Sequence, residues 1–235
     1  MTVLSPPGRP HYDDGVPDWT DNVYFIAPRS RTALREKNAD SPYFGVRDGD
    51  RQEVTRQLLS AHPLTGLDLA RAVTQAWDDI FDSRIGLGQI GTDIFPDPQI
   101  MGYLLHELIP IRVSAAFRGW RKDRDKWEKD LEFDPDSRYS TEIKTSSNPT
   151  QIFGNRSYGI ETADPSRKAK SGYYLAVNFE RWVDAPPGLR PAIRLIRFGW
   201  IDSTDWKAQA AQSGQNSSLP GGVYAEQLAV IYEAI

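Results

Sequence analysis

The sequence predicts a mixed α/β fold, and three observations carry that prediction. Apolar residues recur at helical spacing through much of the first half of the chain, whereas from residue 130 onward short alternating runs separated by turn residues take over. No internal repeat or long linker divides the two halves, so residues 23–235 are expected to form a single domain, with a helical part over 23–129 and a sheet core over 130–235. At 235 residues, with 39% hydrophobic and 11% aromatic content, the chain is long enough to bury a substantial core.

Residues 1–22 hold four prolines, two glycines and several acids and read as an irregular arm. A short strand is expected at 23–26, a helix at 29–38 carrying Arg29, Arg31, Arg35 and Lys37, and another helix at 50–61. Residues 68–81 repeat Leu69, Ala72, Val73, Ala76, Trp77, Ile80 and Phe81 on one helical face. The run Gly86-Leu-Gly88-Gln-Ile-Gly91 matches GxGxxG, but it follows a helix and leads into Phe95-Pro96, so it reads as a loop rather than a dinucleotide cradle.

Asp97-Pro98 has the form of a helix start, an N-cap acid with proline at the first helical position. The helix is expected to kink or end at Pro110, and a second helical piece to continue through Phe117 and Trp120. Residues 131–133 and 139–145 then form a hairpin around the turn cluster Asp134-Pro-Asp136-Ser, with further strands at 173–179 and 193–201. The segment 184–191 joins those strands, 212–222 is a loop, and 223–235 is a closing helix or strand.

Composition narrows the chemistry. Zero cysteines exclude thiol nucleophiles, zinc ribbons and disulfide frameworks, and three scattered histidines cannot build a His-rich metal site. Any metal should therefore be a hard cation held by carboxylates. A net charge of −4 provides no global steering towards nucleic acid, which leaves local charge on one face as the relevant quantity. No apolar run is long enough for a transmembrane helix and the N-terminus lacks a secretory core, so a cytoplasmic protein without membrane contact is expected.

The hairpin concentrates the chemistry. Side chains alternate along a strand, so Glu142 and Lys144 project to one side while Ile143 points into the core. Asp130, at the start of the partner strand, can lie beside Glu142. Two adjacent carboxylates repel, and a divalent cation between them relieves that repulsion. Such a metal polarises a phosphodiester and acidifies a bound water, and an ammonium on the same face stabilises developing charge. An ExK triplet alone is common by chance, and its bland reading is a solvated strand with a salt bridge. The upstream acid, the apolar middle residue and the polar segment that follows give this one weight. The rival triplet Asp205-Trp206-Lys207 lacks a hairpin partner and reads as a surface turn.

The run Lys129-Asp130-Leu-Glu-Phe…Glu142-Ile-Lys144-Thr-Ser-Ser resembles the PD-(D/E)xK core of type II restriction endonucleases. Asn148-Pro-Thr-Gln151-Ile-Phe-Gly154-Asn155-Arg156-Ser157-Tyr158, Gly172-Tyr-Tyr-Leu-Ala-Val-Asn178-Phe and Arg197-Phe-Gly-Trp200-Ile are similar to segments of the ScaI-type family, so the resemblance spans roughly residues 97–235. One departure is that no Pro-Asp precedes the hairpin. Pro135-Asp136 lies inside the turn, which leaves Asp136 as a rival to Asp130, with Asp134 behind it. Asp130 is preferred because a metal ligand belongs on a strand opposite Glu142 rather than in a turn.

The resemblance implies a mixed central sheet flanked by helices, Mg²⁺, no organic cofactor, and a homodimer cutting both strands of a short palindrome in double-stranded DNA. It also implies the backbone carbonyl of Ile143 as a third metal ligand and an assisting acid on the preceding helix, for which Glu107 is the candidate, with an ordinary amphipathic position as its bland alternative. Ser146, Ser147, Asn148, Gln151, Asn155 and Arg156 supply groups able to bond phosphates or base edges immediately beyond the metal-binding strand. The basic runs at 29–37, 118–129 and 167–170 could hold phosphates, although each alone more often forms a solvated face. A repair or recombination nuclease on the same core, and a DNA-binding protein without catalysis, are the alternative functions.

Overall fold

The computed structural model describes residues 23–27, 34, 37–159, 169–209 and 216–234. The expected arm at 1–22 and nearly all of the basic helix expected at 29–38 lie outside the described residues, and Lys37 and Asn38 are not helical.

Two helices come first, α1 (Arg51–Ala61) and α2 (Gly66–Asp82). The start of α2 is written in Thr65-x-x-Asp68: the Thr65 hydroxyl accepts from the Asp68 amide at 3.2 Å, and the Asp68 carboxylate accepts from the Thr65 amide at 2.9 Å. Its apolar stripe is buried as the spacing predicts, and the Trp77 indole donates to the Pro191 carbonyl at 2.9 Å. The GxGxxG segment is a miniature hairpin of β1 (Arg84–Ile85) and β2 (Gly88–Gln89), turned by Gly86 at φ 61°. It does not open a helix, as expected, but it forms two short paired strands where a plain loop was expected.

Helix α3 (Pro98–Ala116) starts as expected, with Asp97 accepting from the amides of Gln99 (2.9 Å) and Ile100 (3.0 Å). It continues past Pro110 rather than ending there, and stops at Phe117. A proline removes a single ladder donor, and burial of Met101, Leu105, Ile109 and Val113 along one side outweighs that loss. Trp120 is not helical either: it opens β3 (Trp120–Lys122), where its ring stacks on Phe133 at 4.6 Å.

The remaining strands are β4 (Leu131–Phe133), β5 (Thr141–Ser146), β6 (Phe153–Asn155), β7 (Gly172–Phe179), β8 (Ile193–Ile201), β9 (Lys207–Ala208), β10 (Asn216–Ser218) and β11 (Leu228–Glu233), with the short helix α4 (Gly221–Glu226) before the last. The closing segment is thus helix and then strand. A six-stranded central sheet has the order β11-β8-β7-β5-β4-β3, antiparallel except for the parallel pair β5–β7, and β6-β10-β9 form a small second sheet. The segment expected as a strand at 23–26 contributes one bridge, Tyr24 to Val230.

Alternation sorts the central strands onto two faces. Ile143, Leu175, Val177, Ile196 and Phe198 pack towards α2 and α3 in the larger core. Helix α3 comes close to β5 because position 102 is glycine: a Cβ there would lie 2.8 Å from the Thr145 hydroxyl. Tyr174, Ala176, Ile152, Trp206, Leu219, Val223 and Leu228 form a second core on the opposite face.

Asp205 and Trp206, expected in a surface turn, are each 1% exposed. Lys37 makes that burial tolerable, its ammonium lying 2.6 Å from Asp205 and 2.9 Å from Asp202, a contact that local sequence does not announce. No described helix is long and apolar enough to cross a membrane.

Candidate active site

Antiparallel pairing sets Leu131 opposite Thr141, and continuing that register puts Asp130 opposite Glu142. The contact is direct, since Asp130 Oδ2 accepts from the Ile143 amide at 2.8 Å. Along β5, Ile143 is fully buried in the helix-facing core, while Glu142 and Lys144 are in register with Tyr174 and Ala176 on the second face. Lys144 Nζ donates to Glu142 Oε1 at 2.6 Å. The Glu142 side chain is 2% exposed and the Lys144 side chain 15%, so the carboxylate forms the floor and the ammonium the rim.

Two residues missed in the sequence complete the cluster. His106, on α3, places Nδ1 3.6 Å from Asp130 Oδ2. Tyr158, in the 3-10 turn Arg156–Gly159, donates its hydroxyl to Glu142 Oε1 at 2.6 Å, and Lys144 Nζ lies 4.8 Å from the centre of its ring. Burial first, and then the negative charge of Glu142, push the Tyr158 hydroxyl well above its ordinary pKa, so it remains a donor.

Other acids are engaged elsewhere. Asp136 caps the 3-10 turn Ser137–Tyr139 and is clasped by the Arg138 guanidinium at 2.6 Å, which holds its carboxyl below the usual range. Asp134 pairs with Arg121 at 2.7 Å. Glu107 pairs with Lys122 on β3. Helical phase contained a signal for its neighbour: His106 follows Gly102 by four residues, on the side that meets β5.

The donors that Asp130 and Glu142 offer a cation are hard carboxylate oxygens. That chemistry suits Mg²⁺, which is commonly held by one or two carboxylates and keeps several waters. Among the described residues no group of three or more His, Cys, Asp and Glu side chains forms a closed metal cage.

The chain leaves β5 into a braced loop. The Ser146 hydroxyl accepts from the Asn148 amide at 3.1 Å, and the Asn148 side chain accepts from the amides of Thr150 (3.0 Å) and Gln151 (2.9 Å). From below, Asn178 Nδ2 donates to the carbonyls of Asn148 (2.8 Å) and Gln151 (3.0 Å). Arg197 donates to the Thr150 carbonyl and, at 2.9 Å, to Asn178 Oδ1. The Gln151 and Asn155 side chains are exposed, while Ser146, Ser147, Asn148 and Arg156 are half-buried. In the basic run 118–129, Arg121 is tied to Glu128 at 2.6 Å and holds that carboxyl at about 2, while Lys129 is buried.

A family model described as ScaI restriction endonuclease matches residues 41–232. The chain is 52% identical over 221 residues to the type II restriction enzyme ScaI of Streptomyces caespitosus, covering 94% of this chain and 97% of that protein. No solved structure matches it.

Proposed function

The chain belongs to the ScaI restriction endonuclease family, and on that premise we propose that it is a type II restriction enzyme acting in the cytoplasm. Its substrate is double-stranded DNA, cut with Mg²⁺ at a short palindromic site. The observation that carries the reading is the convergence of Asp130, Glu142 and Lys144 at one end of the β4–β5 hairpin. A homodimer fits a palindrome because its two-fold axis can coincide with that of the site.

In this reading Asp130 and Glu142, with the Ile143 carbonyl, hold the Mg²⁺. The cation supplies charge neutralisation at the phosphate and a more acidic bound water. Lys144, on the rim, orients the attacking oxygen and stabilises the charge that grows on the phosphoryl oxygens. Water adds to phosphorus as one phosphorus–oxygen ester bond breaks, and the departing oxygen leaves protonated. Ser146, Ser147, Asn148, Gln151, Asn155 and Arg156 stand where the chain leaves the catalytic strand and are assigned to DNA contact. Gln151 and Asn155, with exposed amides, are the residues best placed to reach bases. Glu107, on the preceding helix and paired with Lys122, is the candidate for an assisting acid.

Incubation of the protein with phage DNA and Mg²⁺ should give discrete bands. A smear or progressive shortening from ends would favour a repair-type nuclease. A salt-sensitive gel shift indifferent to Mg²⁺, with no cutting, would favour a binding protein.

A further inference from the structure

Glu142 lies at the floor of the site, and a buried carboxylate presents a cation with a definite geometry only if it is held in one orientation. Strand β5 itself supplies one restraint, Lys144, but the proposed chemistry assigns that ammonium to the substrate. The other restraint comes from outside the hairpin. Tyr158 donates to the same Glu142 Oε1 at 2.6 Å. Its ring is seated on both sides: an added Cβ at Gly154 would meet Tyr158 Cγ at 2.9 Å, and Trp206 stands edge-on at 5.0 Å between centroids. The hydroxyl therefore has little freedom to swing away from Glu142.

We propose that Tyr158 is a positioning residue for Glu142, its hydroxyl holding the carboxylate in the orientation that takes the cation while Lys144 turns to the phosphate. The proposal rests on the active-site reading above. Partners of this kind are typically worth 10- to 100-fold in metal affinity or activity.

The test is Tyr158→Phe, which retains the ring and its seat against Trp206. The Mg²⁺ concentration giving half-maximal cleavage should rise about 10- to 100-fold. Binding of Mn²⁺ to the DNA-free protein, measured by calorimetry, should weaken in proportion, with the thermal unfolding midpoint little changed. Gly154→Ala keeps the hydroxyl but crowds the ring, and should shift the Mg²⁺ requirement in the same direction. Wild-type Mg²⁺ dependence in Tyr158→Phe would overturn the inference, as would a loss of rate at every Mg²⁺ concentration with Mn²⁺ affinity intact. Glu142→Gln separates the two levels. If it is inactive while Tyr158→Phe behaves as wild type, only the role of Tyr158 falls; if it cuts normally, the active-site reading falls with it.

Discussion

The carboxylate of Asp130 accepts a 2.8 Å hydrogen bond from the backbone amide of Ile143, the residue between Glu142 and Lys144. That bond fixes the distance between the two arms of the hairpin where the proposed chemistry takes place, and it distinguishes Asp130 from Asp136, which is occupied with Arg138. Asp130→Ala and Lys144→Ala should each lower cleavage by at least roughly 10²–10³-fold. Asp136→Ala should cut at close to the wild-type rate. Timed digestion of a plasmid checks all three, and retained cutting in Asp130→Ala with loss in Asp136→Ala would transfer the role to the turn.

The 148–151 loop depends on two buried residues beneath it. Asn178 is 0% exposed and Arg197 2%, and between them they bond the carbonyls of Asn148, Thr150 and Gln151. Burial pulls the Arg197 guanidinium down to about 10, a sign of how little water reaches it. Asn178→Ala would leave that charge and two carbonyls short of partners, at a cost of about 2–4 kcal/mol. Chemical denaturation should show the loss. Digestion of substrates with one altered base pair should show weaker discrimination, because the loop would no longer present Gln151 in one conformation. An unchanged preference would remove the loop from recognition.

Gly102 sets the spacing between α3 and the catalytic strand. Gly102→Ala improves helix propensity but drives a methyl to 2.8 Å from the Thr145 hydroxyl. The net effect should be a loss of about 1–3 kcal/mol with reduced cleavage, since Lys144 is the adjacent residue. Adding Thr145→Ala should restore most of the stability. Urea unfolding of the single and double variants measures the coupling, and simple additivity would contradict the close approach.

His62 gives the fold an acid limit. It is enclosed by Trp120, Tyr139, Tyr173 and Phe198, with Nδ1 accepting from the Leu64 amide at 3.2 Å and Nε2 donating to the Tyr139 carbonyl at 3.1 Å. Burial lowers its pKa below the ordinary 6.5. The unfolded chain therefore takes up the proton first, so this contribution to stability is complete above pH 6.5 and declines as pH falls below it. Unfolding free energies measured from pH 7.5 to 5 should fall in the wild type and follow a shallower slope in His62→Gln.

Much of the site was legible because strand alternation is a strict rule. It put Glu142 and Lys144 on one face and Ile143 in the core without knowledge of the partners. Asp130 was legible through hairpin geometry. His106 and Tyr158 were not, since one depends on how α3 is rotated against the sheet and the other on where the chain returns after β6. The burial of Asp205 and Trp206 was hidden for a related reason: a polar triplet looks solvated until Lys37, far away in sequence, supplies the opposite charge. Trp120 was misplaced because a run of Arg and Lys resembles a solvated helix, whereas a three-residue strand needs only Phe133 across from it.

The parallel pairing of β5 with β7 has an evolutionary consequence. Parallel neighbours cannot be joined by a tight turn, so a chain that places them side by side must carry a long connecting excursion. Here that excursion, residues 147–171, includes the candidate DNA-contacting residues from Ser147 to Arg156. The nuclease would then need no separate recognition module: the detour its sheet already requires could be rewritten to suit a new target, while the strands at either end stay as they are.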